Sequence, residues 1–271
     1  MQSQGERPPD RRELREGLVE RLRRAGCVFA EDEARLLRAA AAEEGALERM
    51  VRRRTAGEFL EHVLGAVEIF GERLSVGPGV FVPRQRTALL IERTLDACRG
   101  RAAPTVLEAC CGVAPIAALV ARRHPSAQVH AMDRDETALR HAQKNLPASA
   151  RTHRAESLAG LPPPALLGRV DVLAAVPPYV PEGELAHMPR EARDHEPRAA
   201  LLGGPDGLAV VRRLLRDAPP YLAAGGELLL EMHRDQVPLA AAEAREMGAY
   251  RRIEGVHAGD GGTAVLHLEG E

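Results

Sequence analysis

From Pro104 onward, short apolar runs alternate with stretches of helical period, and this alternation limits the fold more than any other feature of the sequence. Strands are predicted at Thr105 to Glu108, Gln128 to Met132, Val170 to Ala175 and Glu227 to Glu231, with closing strands near Tyr250 to Val256 and Thr263 to Leu268. Between them the spacing predicts helices at Ile116 to Arg123, Glu136 to Asn145, near Leu208 to Tyr221 and near Val237 to Met247. Strands joined through helices build a doubly wound, mostly parallel α/β sheet, and the last two, with no helix between them, give it an antiparallel ending. Such sheets hold ligands beyond the carboxyl ends of their strands, here just after Leu107, Met132, Ala155 and Ala175.

Ahead of this region the texture changes. From Asp10 to about Gly65, Leu14, Leu18, Leu22 and then Ala34, Leu37, Ala41 recur at three- and four-residue spacing, which predicts a small helical unit. Val67 to Phe70 and Leu74 to Val76 flank a Gly71-Glu72 turn and read as a hairpin. Gly77-Pro78-Gly79 then breaks the chain before a helix from about Arg86 to Cys98. At 271 residues the chain has room for one large core and a small companion, expected as a helical unit over 1–65, a hairpin linker over 66–82 and a ligand-binding domain over 83–271. Leu161-Pro162-Pro163-Pro164 reads as a stiff surface connection.

Charge and cysteine usage set aside several classes of function. With 37 basic and 39 acidic residues the formal net charge is -2, which gives no overall pull toward nucleic acid or an anionic membrane. No apolar run reaches the roughly 18 residues of a spanning helix, and Met1 to Pro8 lacks an apolar signal core, so a cytoplasmic protein is expected. Cys27, Cys98, Cys110 and Cys111 have neither CxxC spacing nor histidines in ligand order, so no metal is expected, and Cys110-Cys111 reads as a buried thiol pair beside a loop. Arg52-Arg53-Arg54 reads as a solvated helix face, with steering of a phosphate-bearing partner as the alternative. His130, His141 and His153 read as packing or surface residues, and so do His187 and His195, with a place facing a substrate, in the long insertion after Tyr179, as their lesser alternative.

Three segments carry chemistry. Val106 to Ile116 runs from strand through a tight turn into a helix and brings backbone N–H groups toward a ligand, although Gly112 is its sole glycine. Asp133, about 20 residues further on, stands where a carboxylate accepts two hydrogen bonds from a ribose diol, and Asp135 caps the next helix, which leaves Asp133 free for the ligand. Val176-Pro177-Pro178-Tyr179 follows a buried strand; the consecutive prolines fix the backbone and leave carbonyls as rigid acceptors, and Tyr179 closes over a flat group.

Further motifs accompany these: Leu60-Glu61-His62-Val63-Leu64-Gly65, Phe81-Val82-Pro83-Arg84-Gln85-Arg86-Thr87, Glu196-Pro197-Arg198-Ala199-Ala200-Leu201, Gly203-Gly204-Pro205-Asp206-Gly207-Leu208, and Leu230-Glu231 with Gln236. In this order they resemble the HemK/PrmC family of protein glutamine methyltransferases, which move the methyl of S-adenosylmethionine to the side-chain amide nitrogen of a glutamine, notably in the Gly-Gly-Gln loop of peptide chain release factors. The resemblance implies a class I, Rossmann-like methyltransferase: a mostly parallel seven-stranded sheet with an antiparallel end, plus a small helical N-terminal domain that recognises the substrate. It implies S-adenosylmethionine as cofactor without a metal and a protein partner such as a release factor; the weak net charge and the lack of a strongly basic stripe argue against direct nucleic-acid binding, and a monomer is expected. Carried over by position, Val176, Pro177, Pro178 and Tyr179 would be catalytic, and Phe81, Arg84 and Glu196 would meet the substrate. Phe81, Arg84, Thr87, Glu108, Cys110, Gly112, Asp133, Arg134, Glu156 and Val176 would surround the cofactor.

Two departures bear on function. Val176 replaces the asparagine of the family's NPPY, and losing one hydrogen-bond partner in a dry pocket costs about 1 to 3 kcal/mol. Cys110 and Ala114 replace glycines of its GxGxG loop, which strains the backbone if either position needs a positive φ. Three readings follow: a glutamine-modifying methyltransferase, a catalytically impaired relative that binds cofactor or partner, and a methyltransferase for a small-molecule or nucleic-acid amino group.

Overall fold

A computed structural model of the chain describes residues 11–161 and 166–271. The Pro162-Pro163-Pro164 connection, the opening Met1 to Pro8 and the Leu14 side chain lie outside what is described. Four helices come first: α1 (Arg11–Arg24), α2 (Ala30–Ala40), α3 (Glu44–Thr55) and the short α4 (Leu60–Leu64). Leu18, Leu22, Ala34, Leu37, Leu47, Val51 and Val63 interlock as a core of their own, set by the three- and four-residue spacing.

The Arg52-Arg53-Arg54 run is not a uniform solvated face. Arg52 and Arg53 pair with Glu48 and Glu58, but Arg54 turns inward. Its guanidinium binds both oxygens of buried Glu33 at 2.6 and 3.1 Å and reaches Glu191, far along the chain, at 2.6 Å.

Next come β1 (Ala66–Ile69) and β2 (Glu72–Ser75), an antiparallel hairpin. Its turn is Phe70-Gly71, not the predicted Gly71-Glu72, because both residues take the positive φ (52° and 78°) of a two-residue hairpin turn. Val67, Ile69, Leu74 and Val76 of the hairpin are buried in the core of the large sheet.

The remainder is α5 (Ala88–Cys98), β3 (Thr105–Ala109), α6 (Pro115–Arg123), β4 (Gln128–Asp133), α7 (Glu136–Asn145), β5 (Arg151–Arg154), β6 (Val170–Ala175), α8 (Arg190–His195), α9 (Arg198–Leu201), α10 (Ala209–Asp217), β7 (Leu222–His233), α11 (Val237–Met247), β8 (Tyr250–His257) and β9 (Thr263–Gly270). The sheet order is β5-β4-β3-β6-β7-β9-β8, parallel from β5 through β7, with β9 antiparallel to both neighbours. This is the expected mostly parallel, seven-stranded sheet with an antiparallel end. Val106, Val172, Ala174 and Leu229 face α5, α6 and α7, whereas Leu107, Leu173, Ala175, Leu228 and Leu230 face α10 and α11. Side chains therefore leave each strand alternately for two cores, as a sheet covered on both faces requires.

Two predicted limits move for local reasons. The helix near Leu208 to Tyr221 ends at Asp217, because Pro219 and Pro220 supply no N–H to continue it. The β7 strand starts at Leu222, five residues before Glu227, its Gly225-Gly226 pair lying where the register with β6 shifts.

Candidate functional site

A cavity of about 360 Å³ opens along the carboxyl ends of β3, β4 and β6. Beyond β3 the chain turns through Cys110, Gly112 and Ala114 at φ 51°, 53° and 59° before Pro115 starts α6. Both residues that replace glycines thus sit in the left-handed region, which costs about 1 to 2 kcal/mol at each. Three hydrogen bonds hold the loop in this shape: Cys111 N–H to the Met132 carbonyl (3.0 Å), Gly112 N–H to Asp133 Oδ2 (2.8 Å) and Ala114 N–H to the Cys111 carbonyl (2.7 Å). Space over Gly112 stays open, since a Cβ built there meets nothing within 4 Å.

Asp133 ends β4 facing this loop. Its Oδ1 accepts the Asp135 N–H at 2.9 Å, so each oxygen carries one backbone donor and keeps a lone pair for a ligand. Burial raises its carboxyl above the usual range, while those N–H groups pull it back. Asp135 caps α7 through the Thr137 N–H at 2.7 Å, the role its position predicts.

Glu108, 1% exposed, accepts the Ile116 and Ala117 N–H groups of the first turn of α6 at 3.3 and 2.7 Å. Burial lifts its carboxyl to about 8, against the pull of those donors. Burial likewise pushes the Cys110 thiol up to about 12, so it borders the cavity as a neutral group. Arg134 and Glu156 form the rim, 3.5 Å apart and exposed.

On the other side β6 runs into Val176-Pro177-Pro178-Tyr179. The Val180 N–H donates to the Leu201 carbonyl (3.0 Å), the Gly203 N–H to the Val180 carbonyl (2.9 Å), and Gln236 Nε2 to the carbonyls of Tyr179 (2.9 Å) and Asp206 (3.1 Å). These contacts explain the glycine-rich motif: a Cβ on Gly203 would collide with the Pro178 carbonyl, and one on Gly207 with that of Tyr179.

Arg84 closes the wall. Its guanidinium lies 4.8 Å from the ring centroids of both Phe59 and Phe81 and donates to Glu196 Oε2 at 2.5 Å. Glu196 Oε1 accepts the Val82 N–H at 2.9 Å. Glu196 therefore stands behind the wall, holding Arg84 and the Val82 backbone.

The other residues singled out from the sequence, Phe81, Arg84, Thr87, Glu108, Cys110, Gly112, Asp133, Arg134, Glu156 and Val176 to Tyr179, all border this cavity. His187 and His195 do not; His187 is exposed beside Glu184, and His130 and His153 stack on each other. Arg86, Met188 and Arg213 also border it without having been picked out. For Arg213 no signal was available, because α10 carries Arg212, Arg213 and Arg216 and only tertiary placement separates them. Among the described residues there is no cluster of three or more potential metal ligands, and no helix is long and apolar enough to cross a membrane.

A seven-stranded sheet of this order, with a ligand cavity at its carboxyl edge, defines a class I S-adenosylmethionine-dependent methyltransferase. A family model described as Methyltransferase small domain matches residues 74–186. The release factor glutamine methyltransferase of Streptomyces coelicolor is 37% identical over 203 residues, covering 72% of this chain and 71% of that protein. The 4-amino-L-phenylalanine/4-methylamino-L-phenylalanine methyltransferase of Streptomyces pristinaespiralis is 35% identical over 209 residues, covering 74% and 70%. The crystal structure of a methyltransferase from Pyrococcus furiosus shares the fold, with a TM-score of 0.50 at 18% identity over 74% of this chain and 89% of that one. The chain belongs to the HemK/PrmC family of release factor glutamine methyltransferases.

Proposed function

We propose that the protein transfers a methyl group from S-adenosylmethionine to the side-chain amide nitrogen of a glutamine in a protein substrate such as a peptide chain release factor, with residues 1–65 recognising that substrate. The observation that carries this reading is convergence: segments from four separate stretches of sequence, around Phe81, Gly112, Asp133 and Pro177, meet at one cavity. Bound S-adenosylmethionine supplies a methyl on a positively charged sulfur.

The chain's own residues provide placement. Asp133 offers its remaining lone pairs to the ribose hydroxyls, and the loop N–H groups and Glu108 serve the amino-acid end, where a neighbouring ammonium draws the Glu108 proton off. Phe81 and Arg84 cover the reacting side, stiffened by Phe59 and Glu196. The Pro177 carbonyl, in a backbone fixed by two prolines, accepts an amide N–H, and the Tyr179 ring bears on the flat amide. An amide nitrogen is a weak nucleophile, so alignment and fixed dipoles do the work, and its proton leaves after methylation has made it acidic.

Incubation with labelled cofactor and a release factor, followed by peptide mapping, tests this. One added methyl on a glutamine supports the proposal, and its absence from every polypeptide in a cognate lysate removes it. A second reading, methylation of the amino group of a small carboxylate-bearing molecule, is favoured by one feature: Val176 removes an amide acceptor while Arg84 and Arg86 border the same cavity. Likeness to the Streptomyces pristinaespiralis enzyme points the same way, so 4-amino-L-phenylalanine belongs in the same assay.

A further inference from the structure

The ends of β6 and β7 lie side by side, and their register places an unexplained carboxyl next to Val176. The last paired positions are Ala174 with Leu229 and Ala175 with Leu230, and the next step along each strand is Val176 and Glu231. The faces agree as well. Val172 and Ala174 belong to the core beneath α5, α6 and α7, and Val176 packs against that core. On β7, Leu229 belongs to the same core while Leu228, Leu230 and Met232 belong to the opposite one. Alternation therefore turns Glu231 to the side of Val176, where Thr87, Arg86 and Tyr179 lie close to it. Adjacent strands run about 4.8 Å apart, so a short polar side chain at 176 is within reach of this carboxyl.

Glu231 is 1% exposed, and its Oε2 is buried with no hydrogen-bond partner. Buried polar atoms in native proteins are nearly always paired, so an orphan oxygen marks a missing donor. Val176 has none to give, and the Thr87 and Tyr179 hydroxyls near the carboxyl make no hydrogen bond to Oε2. Glu231 does not border the cavity, which rules against direct contact with a bound acceptor. An asparagine at 176 would resolve both facts: one N–H would satisfy Oε2 and the amide oxygen would turn to the cavity.

We infer that Glu231 is a positioning residue of the acceptor wall, its free oxygen placed to hold a donor side chain at 176 and, through it, the methyl-accepting nitrogen. In this chain the valine leaves that grip unused. The inference deepens the glutamine-directed reading and rests on it for the rate measurement only.

A double-mutant cycle on the full chain tests it, using the parent, Val176→Asn, Glu231→Met and the double variant, with Glu231→Gln as the conservative replacement and Val176→Leu as the control for size. Val176→Asn should raise Tm by about 3 °C in the parent and in Glu231→Gln, whose amide oxygen still accepts, and should lower it in Glu231→Met. With a release factor as acceptor, kcat should rise about tenfold at unchanged KM for the cofactor, and the rise should vanish in Glu231→Met. An equal Tm change with and without the Glu231 carboxyl overturns the inference. Should Glu231→Met fail to fold, a Tm gain from Val176→Leu equal to that from Val176→Asn overturns it instead. Absence of turnover in every variant counts against the glutamine-directed reading alone, because the Tm cycle is read without substrate.

Discussion

The loop after β3 and the segment after β6 leave the same edge of the sheet, yet they present different groups to the cavity. The first works through its main chain: Gly112 N–H meets Asp133, and the left-handed conformations at 110, 112 and 114 survive although two of the three residues are not glycine. In the proposed reading the second joins the Pro177 carbonyl to a side-chain acceptor at 176, which a valine cannot imitate. A site built from backbone donors tolerates changed side chains at the cost of strain. A site built from a side-chain acceptor loses that acceptor outright, and here leaves an oxygen of Glu231 stranded behind it.

The largest effect expected from this contrast is on the cofactor side. Asp133→Ala removes the carboxylate that takes the loop N–H and, in the proposed reading, the ribose hydroxyls, and two charge-assisted hydrogen bonds correspond to a loss of about 100-fold or more in cofactor affinity by calorimetry. Next comes the acceptor side. Gly207→Ala drives a Cβ into the Tyr179 carbonyl, which should lower stability by about 1 to 3 kcal/mol and slow methyl transfer, with cofactor affinity within about twofold of the parent. Cofactor affinity falling as far as turnover would dissolve the distinction between the two halves.

A pH dependence belongs to the cofactor half. Glu108, ordinarily near 4.5, is held up to about 8 in the folded protein, so the folded state keeps a proton that the unfolded chain gives up. That contribution to stability is complete below about pH 4.5 and is lost as pH rises toward 8. Tm measured from pH 5 to 8 should therefore fall more steeply in the parent than in Glu108→Gln. The smallest effect concerns strain. Ala114→Gly relieves a left-handed alanine worth about 1 to 2 kcal/mol but adds about 0.4 to 1 kcal/mol of unfolded-state freedom, so a net gain under about 1 kcal/mol is expected from denaturant unfolding.

Legibility in the sequence followed the same divide. The α7, β6 and α11 limits match the predicted spans residue for residue, because buried runs and helical spacing are local signals. The edge strand β5, Arg151–Arg154, carries no apolar residue and left only its exit at Ala155 to be noticed. Asp133 and the Pro-Pro pair were legible from their place after a strand. Two facts were not: the need for positive φ at Cys110 and Ala114, stated only as a condition, and the place of Glu196 behind Arg84, which depends on contacts more than 100 residues apart in sequence.

Arg54 also bears on how such a protein changes over generations. Its buried guanidinium joins Glu33 of the helical unit to Glu191 of α8, in the segment between Tyr179 and Glu196. Exchange of the helical unit for a relative's takes Arg54 and Glu33 away together and leaves only Glu191, whose side chain is 36% exposed and stays partly hydrated, without its partner. The two stretches are thus coupled through one partly exposed ion pair, and a lineage that trades its helical unit is released to change Glu191 as well.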